Sequence, residues 1–73
     1  MYEHSHHSDI RALEIGLPYL LKHNKEHAKD IKKWIKRAKV AGYDDVAQDL
    51  ERVLELSQKI TKYFESALRK LKR

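Results

Sequence analysis

A seven-residue hydrophobic repeat runs through the second half of this chain without a slip. Val46, Leu50, Val53, Ser57, Ile60, Phe64, Ala67 and Leu71 alternate spacings of four and three, which puts them on one seam of a helix. The first half answers with Leu17, Leu20, Asn24, His27, Ile31, Trp34, Ala38 and Ala41 at the same spacings. Between the two runs lies Ala41-Gly42-Tyr43-Asp44. Gly42 suits the left-handed residue that follows a helix end, and Asp44 suits the cap of the next helix. Two long helices joined by so short a turn must lie antiparallel. The predicted fold is therefore all-α, an antiparallel helical hairpin with helices at about 17–41 and 45–71.

The residues before Leu17 are less regular. Residues 1–8 have no apolar period and read as a flexible His-rich tail, with residues 9–73 forming one hairpin domain. Ser8 or Asp9 can cap a helix. Ile10, Leu13 and Leu17 keep the phase of the residues after them, which argues for one continuous helix. Gly16 and Pro18 argue for a break, because proline lacks an N–H and its ring crowds the carbonyl of Glu14. The expectation is a short kinked helical turn before a helix that starts near Leu17. Facing residue numbers should sum to between about 84 and 88. At the upper limit Asn24 meets Phe64; at the lower, His27 meets Ser57.

Each helix also carries a third apolar position per heptad. Leu21, Ala28 and Ile35 form it on the first helix, and Ala47, Leu54, Thr61 and Leu68 on the second. Two facing helices need about two such positions per heptad, so a third implies a further neighbour. With Leu21, Ala28, Ile35, Leu54, Thr61 and Leu68 as the partner-binding stripe, the economical arrangement is a homodimer forming a four-helix bundle. The rival is a groove that receives another protein's helix. At 73 residues a lone hairpin has little interior, which points the same way.

Inside the seam lies one polar layer. Asn24 at such a position fixes helix register and oligomeric state, with Ser57 available as its counterpart. His23 and His27 lie four apart on one helix face, the spacing at which two imidazoles grip one ion from consecutive turns. The zinc-protease motif is absent, because Asn24 stands where that motif has Glu. Two ligands are fewer than a tight site needs. Glu65 from across the hairpin, Glu26, or the same residues of a second subunit would complete the set. The structural alternative has His27 neutral and hydrogen-bonded to Ser57 or Thr61. In the tail, His4, His6 and His7 form a second cluster suited to Zn²⁺, Ni²⁺, Co²⁺ or Cu²⁺ without selectivity. A chain kinked at Pro18 would let the tail fold back so that it shares one ion with His23 and His27.

Leu20-Leu21-Lys22-His23-Asn24-Lys25-Glu26-His27-Ala28 follows a His-rich head and precedes an Ala-Gly turn and a second long helix. This arrangement resembles a group of small uncharacterised His-rich hairpin proteins of anaerobic bacteria and archaea. The resemblance implies that His23, Asn24 and His27 belong together, and it links the head to transition metals. The chain departs from the group in its short head and its basic balance.

The net charge is +5, concentrated as lysines and Arg37 between Lys22 and Lys39 and as basic residues after Lys59, while acids cluster between Asp44 and Glu55. Acids at the start of the second helix and bases at its end complement the helix dipole. The basic outer face of the first helix would attract phosphates, but no nucleic-acid reading motif accompanies it, so nucleic acid is not the expected partner. There is no cysteine, no nucleophile beside a base and no glycine-rich phosphate loop. No enzyme is expected. The absence of a long apolar run or an apolar leader gives no membrane insertion and a cytoplasmic setting as the default expectation. The leading functional expectation is a small binding protein that takes a transition metal ion through its histidines.

Overall fold

The computed structural model describes the backbone of residues 3–72 and the side chains of residues 7–72. It contains two helices, α1 (Glu3–Val40) and α2 (Asp44–Leu71), packed antiparallel as a rod of 59 × 17 × 15 Å. All cross-element packing is therefore α1 on α2. No helix among the described residues is long and apolar enough to cross a membrane.

The turn forms as its residues dictate. Gly42 has φ 83°, the left-handed conformation that glycine adopts without a Cβ clash. Tyr43 N–H donates to Ala38 O (2.9 Å) and Gly42 N–H to Lys39 O (3.1 Å), the crossed pair that closes a helix end on a left-handed glycine. The cap of α2 differs from expectation. Tyr43 occupies that position with no side-chain hydrogen bond, and Asp44 already lies in the first turn. Asp44 and Asp45 stabilise α2 through the free N–H groups of that turn, and the Asp45 carboxylate accepts from Val46 N–H at 2.8 Å.

The expected break at Pro18 does not occur. α1 runs from Glu3 through Pro18 to Val40, so the tail and kinked turn assigned to residues 1–16 are corrected from Glu3 onward. Glu14 and Pro18 are both exposed, so the carbonyl that loses its helical donor faces water and is solvated there. At 1.5 Å per residue α1 is about 57 Å long and α2 about 42 Å. The first three turns of α1 consequently project past the end of α2.

The largest correction concerns which stripe faces inward. The inner positions of α1 are Leu17, Leu21, Asn24, Ala28, Ile31, Ile35 and Ala38, all buried or half-buried. Those of α2 are Ala47, Leu50, Leu54, Ser57, Thr61, Phe64, Leu68 and Leu71. Ile35, Ala47 and Ser57 are the most enclosed, at 8%, 1% and 6% exposure. The residues expected to bind a partner, Leu21, Ala28, Ile35, Leu54, Thr61 and Leu68, thus belong to the intramolecular seam. In exchange Leu20, His27 and Trp34 of α1 and Ala41 of the turn, with Val46, Val53 and Ile60 of α2, turn outward. The small Ala28 and Ala47 allow close approach of the helices, whereas Trp34 and His27 carry N–H groups that a two-helix seam would leave unpaired.

Candidate functional site: a polar layer and an outward histidine pair

Asn24 sits in the middle of the seam and spends its whole amide on α2. Its Nδ2 donates to Thr61 Oγ1 (2.7 Å) and to Ser57 O (2.9 Å). Ser57 Oγ donates back to Asn24 Oδ1 at 3.3 Å, and Thr61 Oγ1 donates to Ser57 O at 3.2 Å. Among the described residues no buried side-chain nitrogen or oxygen lacks a partner. A closed network of this kind disfavours slippage, because any other register would bury an amide without its bonds. The Asn24–Thr61 pair falls within the expected register, and the hydrogen bonds of Asn24 go to Thr61 and Ser57. His27 takes no part in this layer, contrary to the hydrogen bond expected with Ser57 or Thr61.

The two flanks of the seam differ in chemistry. On one flank Lys25 Nζ lies 3.6 Å from Glu65 Oε2, and Lys39 Nζ lies 3.1 Å from Glu51 Oε2. Lys32 and Gln58 line the groove between those pairs. Glu65 is therefore engaged with Lys25 on the charged flank and does not join the histidines. On the other flank a low-charge face carries Leu20 (44% exposed), Trp34 (56%), Val46 (43%), Val53 (44%) and Ile60 (45%). The Arg37 guanidinium covers one side of the Trp34 ring, 5.2 Å from its centroid.

His27 stands between Leu20 and Trp34 on this face, and His23 lies beside it at the outer edge. Their Nε2 atoms are 3.0 Å apart and both rings are exposed. The rings are perpendicular, at 89° with centroids 4.5 Å apart. Tyr19, one turn earlier, stacks on His23 at 5.8 Å and 9°. Sequence spacing put the pair on one face, but only the fold shows that this face is the apolar one.

The tail histidines are separated from this pair. The His4 and His6 side chains lie outside the described residues, and His7 is exposed on α1. Since α1 is continuous, sixteen residues of helix hold His7 about 24 Å from His23 along the axis. The expected folding back of the tail onto His23 and His27 within one chain is corrected accordingly. Among the described residues no group of three or more His, Asp or Glu side chains is placed to hold an ion.

Compared with known proteins, residues 13–71 match the model of a family described as a domain of unknown function (DUF8180). No curated protein and no solved structure matches the chain. The matched segment coincides with the stretch over which α1 and α2 lie side by side. It includes Asn24, His23 and His27 and omits the projecting arm.

Proposed function

We propose, from the premise that the chain belongs to the family described as a domain of unknown function (DUF8180), that it is a non-enzymatic helical module that pairs with a second copy of itself through its apolar face. The observation that carries this reading is the exposure of Leu20, Trp34, Val46, Val53 and Ile60 on one flank, opposite the flank that holds the lysine–glutamate pairs. Contiguous apolar area of this kind on a small chain marks an interaction surface.

Area favours a partner. A folded monomer of 8.7 kDa exposes about 4,700 Å² by the usual mass scaling. This chain exposes 6400 Å². The surplus is about 1,700 Å² per chain, or about 3,400 Å² for two chains, which falls in the range that obligate homodimers bury. A second copy suits the face because the face is self-complementary. Leu13, Leu20, His27, Trp34 and Ala41 are spaced by seven with His27 in the middle, so a two-fold axis at that level sets Leu20 of one copy opposite Trp34 of the other. The product is a four-helix bundle with all neighbours antiparallel and the lysine-rich flanks outside.

Sedimentation equilibrium of the wild-type chain and of Val53→Glu and Ile60→Glu tests the reading. The wild type is expected at twice the 8.7 kDa chain mass, and each variant shifts toward the single chain. A wild-type chain that stays monomeric throughout the micromolar range overturns it.

A further inference from the structure

We infer that the His23–His27 pair is half of a transition-metal site that a second copy of the chain completes across the apolar face. This inference rests on the self-association proposed above.

The geometry of the pair is that of a clamp. The two Nε2 atoms come from consecutive turns of α1 and lie 3.0 Å apart at the exposed surface. An ion bound at about 2.0–2.1 Å from each of two imidazole nitrogens holds those nitrogens about 3.0–3.4 Å apart, depending on the angle at the metal. The nitrogen separation already matches that of a shared ion, and binding requires the donating ring to lose its Nε2 proton and turn so that both lone pairs face the ion. Stacking of Tyr19 on His23 limits the freedom of the first ring before any ion arrives. Without an ion, one Nε2–H donates to the other Nε2. Such a bond between solvent-exposed groups adds little to folding, because water offers the same partners.

Two imidazoles make an incomplete shell, since tight sites for these ions use three or four protein ligands. Glu65 is held by Lys25 on the opposite flank, and His7 is far up α1. The position of the pair supplies the remainder. His27 is the middle member of the apolar series on α1, and a two-fold axis runs at its level. The axis sets His27 of the two copies face to face with each His23 one turn to either side, so an ion held by one copy's pair gains the other copy's His27 as a third ligand, with the apolar side chains of Leu20 and Trp34 flanking it. A shell of neutral nitrogen ligands selects a borderline divalent ion, Zn²⁺ first, and rejects Mg²⁺ and Ca²⁺, which require oxygen ligands.

The test is calorimetric titration of chelator-treated full-length chain with Zn²⁺, with Mg²⁺ as the control, alongside sedimentation with and without metal. The histidines of the arm are first replaced (H4A, H6A, H7A) so that they contribute no binding. The expected result is one Zn²⁺ per two chains, with affinity lowered more than about tenfold in His23→Ala and in His27→Ala. A metal-free dimer that takes up no stoichiometric Zn²⁺, or whose binding survives both substitutions, overturns the metal site and leaves self-association standing. A chain that is monomeric without Zn²⁺ and dimeric with it supports the site and shows that the apolar face alone does not suffice. A chain that stays monomeric in both states overturns the two readings together.

Discussion

Asn24 Nδ2 lies 2.7 Å from Thr61 Oγ1 and 2.9 Å from Ser57 O, so one amide group of α1 ties two consecutive turns of α2. Removing that amide leaves Ser57 Oγ without its acceptor in the seam and Thr61 Oγ1 with only its own bond to Ser57 O. Asn24→Ala is expected to destabilise the hairpin by about 1–3 kcal/mol, measured by urea denaturation. A midpoint unchanged from wild type would show that water satisfies the layer equally well.

Ile35 and Trp34 are adjacent in sequence but point to different surroundings, 8% and 56% exposed. Ile35→Ala opens a hole in the seam and is expected to cost about 2–4 kcal/mol of folding stability. Trp34→Ala is expected to act mainly on association, lowering the dimer fraction seen by sedimentation. The reverse pattern would return the seam to the phase that includes Trp34.

Pro18 removes one α1 hydrogen bond at an exposed position without ending the helix. Pro18→Ala restores that bond and is expected to raise thermal stability, by at most about 3 kcal/mol. Circular dichroism melting checks the direction; a lower melting temperature would mean that the proline ring makes a contact the helix needs.

Gly42 holds φ 83°, where a Cβ is strained even though nothing crowds it in space. Gly42→Ala is expected to cost about 1–2 kcal/mol in denaturant unfolding through the backbone conformation alone.

Lys25 and Glu65 meet at 3.6 Å with both side chains substantially solvated. Lys25→Ala is expected to cost less than about 1 kcal/mol, and added salt should shrink the difference further. A larger loss in thermal melts would indicate that the lysine stem, rather than its charge, covers Ala28 and Thr61.

The heptad runs, the Gly42 turn and the polar residue Asn24 were legible because each is local. A helix is announced by its own periodicity, and a left-handed turn residue by the missing Cβ. The continuity of α1 through Pro18 was also present in the phase of Ile10, Leu13 and Leu17. The proline penalty argues the other way in sequence, where the exposure of Glu14 and Pro18 is not visible. The histidine pair was legible as a spacing, but the surface around it was not.

The choice of inner stripe depended on both helices at once. Each helix carries three apolar positions per heptad, and either of two pairs of them makes a seam of similar hydrophobicity. A signal for the correct pair did exist. Lys25, Lys32 and Lys39 recur every seven residues on one helix, and Glu51, Gln58 and Glu65 do so on the other, in matching order when the helices run antiparallel. That pattern decides the flank only if the two helices are aligned in register first.

By itself the sequence determined two helices, their antiparallel order, the turn and the inward place of Asn24, since these follow from spacing and backbone preference. Only the tertiary structure decided that Ile35 and Ala28 face inward while Trp34 and His27 face out. Periodicity defines an apolar arc on one helix, but only packing against the second helix, with its small residues, hydrogen bonds and charge pairs, selects which part of that arc is covered.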